Sequence, residues 1–222
     1  MKNLQPKNVL KIPTKSTIFN AKKKLSELLI DLEKPIGYLT SLLIFFGQLT
    51  YFKDVWQKKI APSVLTWFGW ALLMATLIVV QVLSTGWDWS LMSITSCTFG
   101  CVAIGMVSLI KKSYQLLAQD WLFLGLGLFC GILYVLSKDP WLTTFFAVIS
   151  DFIIGFPTII KAYNEPKKEK TRAWIISLSC WSLTSLISFN HNLLYAVFPV
   201  YICLYSAYIC FLIYLRNPKL DQ

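Results

Sequence analysis

A single acidic residue lies deep within an apolar stretch of this sequence and is its strongest candidate for chemistry. Asp151 falls near the middle of the apolar segment 141–162. A carboxylate at the centre of a bilayer costs about 3 kcal/mol on insertion scales, so it is expected to face a cavity or a partner group. There it could accept a proton from one side and release it on the other, or bind the amino group of a substrate. The alternative is a protonated acid that is hydrogen-bonded to a neighbouring helix.

Small and polar residues share the predicted helix face of Asp151. At helical spacing this stripe consists of Thr144, Ala147, Asp151, Gly155, Thr158 and Ala162. Such a stripe is expected to face other helices or water rather than lipid. Gly155 and Pro157 are predicted to form a hinge, because proline cannot donate its backbone hydrogen bond and lets the helix bend. A static kink that improves packing is the alternative.

Five further apolar segments carry polar or aromatic faces that could line one shared aqueous pocket. The residues predicted to contact a solute there, beside Asp151, are Gln48, Trp70, Trp181, Tyr201 and Tyr205. The two tryptophans lie deep enough in their segments to stack against a sugar or a flat ring. Each polar face could instead be a close-packing surface between helices.

Several classes of site are absent from the sequence pattern. The six cysteines all lie inside apolar segments, form no CxxC pair and have no histidine nearby, so neither a disulfide framework nor a zinc site is expected. No phosphate-binding loop is present, and the last segment has no lysine that could form a Schiff base with retinal. We therefore expect no cofactor and no metal. A membrane enzyme is disfavoured, because such enzymes usually need several intramembrane acids and this chain has one.

The composition places the chain in a membrane. Its 222 residues are 56% hydrophobic and only 14% charged, and the mean hydropathy is +0.58. Segments of about 20 apolar residues span a bilayer as helices, whereas membrane strands alternate in polarity. We predict seven transmembrane helices, at 36–52, 64–83, 90–110, 121–137, 141–162, 173–189 and 193–215.

The net charge of +10 is distributed as in a multi-pass membrane protein. Lysines lie at segment ends and in the tail 1–34, and no base-reading motif accompanies them, so no nucleic-acid partner is expected. The loops 53–62, 111–119 and 161–172 hold most of the remaining lysine and arginine, which predicts a cytoplasmic C-terminus. The lysines of the N-terminal tail favour the opposite orientation. Within that tail, residues 20–34 are predicted to form a short helix on the membrane surface.

An internal echo divides the seven segments. At an offset of 107 residues, Trp56 and Trp67 correspond to Tyr163 and Trp174, with the same spacing across a basic loop in each copy. In both copies an apolar segment ends in an aromatic residue, crosses the loop and resumes at a tryptophan. Many carriers are built from repeated membrane halves, with the substrate site between them.

The echo predicts an all-α membrane protein in which two triple-helix bundles are joined by a linker helix. The repeats would be 36–110 and 141–215, and the segment 121–137 would be the linker, which fits its near lack of polar side chains. The tails would be the basic residues 1–34 and the short stretch 216–222. Whether the chain also forms a homo-oligomer is left open.

This arrangement, with basic loops after the first and fifth segments, resembles the PQ-loop superfamily, which includes the SWEET-like sugar carriers. Where that family has a Pro-Gln pair, the second copy has Pro157–Thr158 and the first has Thr50–Tyr51. The resemblance implies an alternating-access transporter of a small polar solute, such as a sugar, an amino acid or a vitamin, whose proline bend serves the rocking motion. Coupling to protons is left open. The alternative is a non-transporting membrane subunit or scaffold.

Overall fold

All regular structure in the described part of the chain is helical. The computed structural model describes residues 15–58, 64–112, 114, 118–164, 166, 173–190 and 192–216. In chain order the helices are α1 (Lys15–Trp56), α2 (Val64–Thr85), α3 (Leu91–Lys111), α4 (Ala118–Ser137), α5 (Pro140–Asn164), α6 (Ala173–Ser188) and α7 (Leu193–Cys210). A π-helical turn, Phe211–Leu215, extends α7. The prediction of an all-α protein is confirmed.

Five of these helices are long and apolar enough to cross a membrane. They are the Ile30–Trp56 part of α1, the helices α2, α3 and α4, and the stretch Leu193–Leu215. A sixth is α5 if its two parts, Pro140–Phe156 and Thr158–Asn164, which meet at 44°, count as one span. The predicted sixth span, 173–189, corresponds to α6, which has 16 residues, whereas about 20 are needed to cross the hydrocarbon core perpendicularly. The described residues therefore form five or six helices suited to spanning a bilayer.

The helices pack in an order that differs from their order along the chain. Helix α3 lies against both α1 and α2, and α7 lies against both α5 and α6. Between these groups, α1 packs on α6 and α2 packs on α5, while α4 contacts α2 and α5. Buried side chains such as Leu77, Ile94 and Phe198 form one apolar core at the junction.

Two faces of the bundle are defined by the chain between the helices. The turn face comprises residues 86–90, 138–139, 189–190 and 192, and the basic face comprises the opposite helix ends, at residues 56–58, 64, 111–112, 118, 164, 173 and 216. On the basic face Lys111 Nζ lies 3.7 Å from the ring centroid of Trp56, and the Arg216 guanidinium lies 3.4 Å from that of Tyr163. These cation–π contacts tie the end of α3 to α1 and the end of α7 to α5.

Glycines allow α2 and α4 to approach at backbone distance. A β-carbon at Gly127 would lie 2.5 Å from the carbonyl oxygen of Gly69, and one at Gly69 would lie 2.7 Å from that of Phe123. A β-carbon at Gly125, on the same helix, would meet nothing within 4 Å. Small residues at such positions are what permit close helix packing in a membrane.

Helix α1 differs from the sequence prediction at its start. The predicted surface helix 20–34 is helical but continues without a break through the exposed Pro35 into the first span. Its Glu33 is buried, with 5% of its surface exposed, and accepts a hydrogen bond of 2.9 Å from Asn190 Nδ2. The end of the segment predicted to be a tail is thus part of the helical bundle.

Candidate functional site

Asp151 lies on the buried side of α5, near the middle of that helix. Only 8% of its surface is exposed, and its Oδ2 accepts a hydrogen bond of 2.9 Å from the Tyr201 hydroxyl of α7. At 1.5 Å per residue Asp151 is about 17 Å from the Pro140 end of α5 and about 20 Å from the Asn164 end. The structure thus brings together two of the predicted site residues at the mid-depth of the bundle.

The predicted stripe on α5 separates the interior from the outer surface. Thr144, Ala147 and Ala162 have no exposed surface, and Gly155 is buried as well. The opposite side of the helix exposes large apolar side chains, namely Phe145, Ile149, Phe152, Phe156 and Ile160. Helical periodicity therefore places the Asp151 carboxylate toward the other helices and the bulky side chains toward the surroundings.

Tyr205 and Gly155 form the next contact along the same pair of helices. The Tyr205 hydroxyl donates to the carbonyl oxygen of Gly155 at 2.8 Å. A β-carbon at Gly155 would lie 2.8 Å from that hydroxyl oxygen, so the absence of a side chain allows the approach. Gly155 thus positions Tyr205 one helical turn from the Asp151–Tyr201 pair.

Gln48 joins α1 to α3. Its Nε2 donates to the Cys97 carbonyl oxygen of α3 at 3.1 Å and lies 4.0 Å from the Cys101 Sγ. The described hydrogen bonds of Gln48 therefore lead to α3 and not to Asp151.

An aromatic column on α6 and α7 leads to the carboxylate. Trp181, which is buried, packs edge-on against Phe198 with ring centroids 6.3 Å apart, and Phe198 lies 6.0 Å from Tyr201. Tyr201 and Tyr205 follow at 6.2 Å. Trp181 is thus linked to the site through Phe198, but its ring is packed in the core and is not open to a solute in this conformation.

Trp70, like Gln48, is a predicted site residue that the described contacts do not join to Asp151. It packs edge-on against Trp67 of its own helix, with centroids 5.4 Å apart. Its Nε1 is buried and has no hydrogen-bond partner in the described part of the chain, and the same holds for Gln48 Oε1. These two atoms are an unused donor and an unused acceptor inside the bundle.

The chemistry available at this site is that of one carboxyl group and its hydroxyl partner. Among the described residues Asp151 is paired with a hydroxyl rather than with a cation. No group of three or more histidine, cysteine or acidic residues could hold a metal ion within the residues that the structure describes. Such a site can bind a proton or a solute that bears hydrogen-bond donors.

The sequence did not predict the hydroxyl cluster near the turn face as part of a site. Ser93 lies 2.7 Å from Thr40 on one side and 2.7 Å from Thr184 on the other, joining α3 to α1 and α6. All three side chains are fully buried. Helical periodicity places each of them on a polar face, but it does not reveal which helices those faces meet.

Comparisons of the chain with family models, curated proteins and solved structures find no match. The function is therefore inferred from the residues and contacts described above.

Proposed function

We propose that the protein is a membrane transporter of a small polar solute that works by alternating access. The observation that carries this proposal is the Asp151–Tyr201 pair, buried at the mid-depth of the bundle where α5 and α7 meet. An ionisable residue at that depth is expensive in a bilayer and is by default functional. A purely structural helix contact would be made more cheaply by apolar or small residues.

Buried polar atoms without hydrogen-bond partners on the helix of Asp151 support a solute site beside the carboxylate. These atoms are the hydroxyl oxygens of Thr144 and Ser150 on α5, and Gln48 Oε1 and Trp70 Nε1 are further unpartnered atoms within the described bundle. Buried polar groups in proteins are nearly always satisfied, and an unmet one costs about 1–3 kcal/mol. A transported solute that carries donors and acceptors would satisfy such groups in the state that binds it.

The packing order supports two triple-helix bundles joined by α4. In each group of three the last helix lies between the other two, and the contacts between groups are reciprocal, α1 with α6 and α2 with α5. Trp56 and Tyr163 are separated by the offset of 107 residues, and each takes part in a cation–π contact near the end of its helix, α1 and α5 respectively. Repeated halves of this kind place a substrate site at their interface in many carriers.

The bend of α5 supports a hinge at Gly155 and Pro157. The parts of α5 on either side of Pro157 meet at 44°. Proline cannot donate a backbone hydrogen bond to the preceding turn, so bending there disturbs fewer bonds than elsewhere. The bend lies just beyond Gly155, so a change in its angle would move Asp151 and Tyr205 relative to each other.

We predict that the basic face is cytoplasmic and that the C-terminus lies there. The lysines and arginines of the loops between helices are concentrated on this face, which is the distribution that sets orientation. The solute would then pass between the cytoplasm and the compartment bordering the turn face. Sugars, amino acids and vitamins are all candidates, and proton coupling through Asp151 is part of the hypothesis to be tested.

A thermal-stability screen tests the proposal without knowledge of the solute. The purified protein and its Asp151→Asn variant are melted with sugars, amino acids, amines and vitamins, at mildly acidic and at mildly alkaline pH. A ligand at a hundred times its dissociation constant stabilises the folded state by about 2.7 kcal/mol. We expect at least one compound to raise the midpoint of the wild type, and the shift to fall in Asp151→Asn.

The control is Asp139→Asn. Asp139 is exposed on the turn face, and its Oδ1 accepts from the backbone N–H of Trp141 at the start of α5, a cap that asparagine also provides. In Asp151→Asn the amide oxygen can still accept from Tyr201, so folding should be preserved. If transport of the solute is coupled to protons, Asp151→Asn abolishes pH-driven uptake and Asp139→Asn does not. Normal uptake by Asp151→Asn would make Asp151 structural, and a folded protein that no compound stabilises would favour the scaffold alternative.

A further inference from the structure

Hydrogen bonds connect the first three helices to the last three close to the turn face. Five side-chain bonds of this kind occur among the described residues. The pairs are Ser93 with Thr184, Thr85 with Tyr195, Tyr195 with Gly86, Gln81 with Leu194, and Asn190 with Glu33. They involve five helices and two turns, and the same helix ends also bury apolar side chains such as Leu91, Ile187 and Leu194.

The hydroxyl groups in this layer form a connected row. Thr40 donates to a carbonyl oxygen of its own helix, that of Ile36 at 2.9 Å, and Ser93 donates to Thr40 at 2.7 Å. Ser93 and Thr184 lie 2.7 Å apart and either hydroxyl can donate, while Thr184 also bonds to the Cys180 carbonyl oxygen of its own helix at 2.9 Å. The chain of bonds runs from α6 through α3 to α1 and crosses from one group of helices to the other.

Tyr195 closes the same interface nearer to the surface. Its hydroxyl accepts from Thr85 at 2.5 Å and donates to the Gly86 carbonyl oxygen at 2.5 Å, so it is bonded twice to the end of α2. One residue earlier, the Leu194 carbonyl oxygen accepts from Gln81 Nε2 at 3.2 Å. Tyr195 and Gln81 are both buried. Polar contacts at Leu194 and Tyr195, the second and third residues of α7, therefore fix the start of this helix to α2.

A cavity lies directly outside this layer. Its volume is about 400 Å³, and it is lined by Thr85, Trp87, Asp88, Asn192 and Tyr195. On the inner side, Cys97 follows Ser93 by four residues, which is about 6 Å along α3. Tyr201 follows Tyr195 by six residues, which is about 9 Å along α7. The polar layer therefore separates the cavity from the Asp151 region.

The polar groups of the layer allow this contact to open at a low cost in free energy. Exposing a purely apolar helix contact to water would be costly. Hydroxyl and amide groups exchange their mutual bonds for bonds to water when the contact separates, so the net loss per bond is small. An interface that must be dry in one state and wet in another is best built from such groups.

We propose that the layer formed by Gln81, Thr85, Ser93, Thr184 and Tyr195 is the closed gate of the carrier at the turn face. The inference rests on the proposed transport function and adds the device that controls access to its site. Opening separates α2 and α3 from α6 and α7, which lets a solute pass from the outer cavity to Asp151.

The reactivity of Cys97 reports on this gate without any solute. Cys97 is retained as the single native cysteine, the other five are replaced by alanine, and the full-length protein is reconstituted into vesicles. Lys138→Cys and Lys58→Cys, each added separately, identify which vesicle side is the turn face and which is the basic face. A membrane-impermeant maleimide then measures the rate at which Cys97 is modified from the turn face.

Three variants weaken the gate while keeping side-chain shape, namely Ser93→Ala, Thr184→Val and Tyr195→Phe. Loss of a net hydrogen bond changes the open population by about fivefold, so each should raise the rate of Cys97 modification from the turn face by about that factor. The matched control is Ser108→Ala, because this buried serine of α3 bonds only to the Ile104 carbonyl of its own helix among the contacts described.

The outcomes separate the gate from the transport proposal. A rise in the gate variants with no rise in Ser108→Ala supports the gate. Unchanged rates in all three variants, an equal rise in the control, or a wild-type Cys97 that reacts from the turn face as fast as Lys138→Cys would each overturn it. None of these results depends on a ligand, so the gate can fail while solute stabilisation through Asp151 stands, and the converse also holds.

Discussion

Replacing Gly127 by alanine would test whether α4 docks on α2 at backbone distance. The added β-carbon would lie 2.5 Å from the Gly69 carbonyl oxygen, well inside van der Waals contact. The obstructing atoms belong to the backbone, so they cannot move aside by changing a rotamer. The helices must separate instead, which loosens every contact between them. Gly125→Ala provides the matched control, because its β-carbon would meet nothing within 4 Å.

The two variants are expected to change stability in opposite directions. Overpacking costs about 1–3 kcal/mol, and a rigid backbone obstacle places Gly127→Ala near the upper end of that range. Alanine is favoured over glycine within a helix by about 1 kcal/mol, which both variants gain. The net effect is a loss of about 2 kcal/mol in the free energy of unfolding for Gly127→Ala and a gain of up to about 1 kcal/mol for Gly125→Ala.

The midpoint of thermal unfolding in detergent measures this difference. For a chain of this length 1 kcal/mol corresponds to about 2–4 °C, so Gly127→Ala should melt about 4–8 °C below the wild type. Gly125→Ala should melt at or slightly above it. Equal midpoints for the two variants would show that α4 does not approach α2 at Gly69, and the description of this contact, together with the linker position of α4, would then be wrong.

Two further predictions concern contacts at either end of the proposed site. Gly155→Ala should lower the unfolding midpoint by a few degrees, since its β-carbon would lie 2.8 Å from the Tyr205 hydroxyl oxygen. Adding Tyr205→Phe to the same chain should recover much of the loss. Gly47→Ala is the control, because its β-carbon would meet nothing within 4 Å. Lys111→Met should cost about 0.5–1 kcal/mol by removing the cation above the Trp56 ring, and a chemical-denaturation series that showed no loss would count against that contact.

The buried face of α5 could be predicted from the sequence because it depends only on helical periodicity. Once a helix is inferred, Thr144, Ala147 and Asp151 must share a face, and their small size indicates contact with other helices. The partner of Asp151 could not be predicted in the same way. Tyr201 is 50 residues further along the chain, and its contact with Asp151 depends on how α7 is rotated and shifted against α5.

Glu33 shows how a local rule can mislead. The predicted tail 1–34 ends just before Pro35, and a proline usually lies at a helix boundary. In the structure the helix continues through Pro35, which lies on the exposed side, while Glu33 turns inward to accept from Asn190. That contact joins residues 157 positions apart, and no periodicity within one helix contains information about it.

Two cation–π contacts in the structure are related by the offset of 107 residues. It pairs Trp56 with Tyr163, and in the structure both rings carry a cation from the end of a following helix. The cations themselves, Lys111 and Arg216, were visible only as basic residues at segment ends. Aromatic residues were a better marker of equivalent positions because their location is fixed by the helix end, whereas the long basic side chains can reach a ring from several positions.

The length of α1 has a consequence for the charge of the N-terminal segment. The helix has 42 residues, of which the span Ile30–Trp56 accounts for 27. At 1.5 Å per residue the remaining part extends about 20 Å along the helix axis before the span begins. Lys24 therefore lies about 9 Å along that axis from Ile30, close to the outer edge of the headgroup layer that borders the hydrocarbon core. A basic residue so near a span contributes to the orientation of a membrane protein, so this part of α1 opposes the orientation that the basic loops favour.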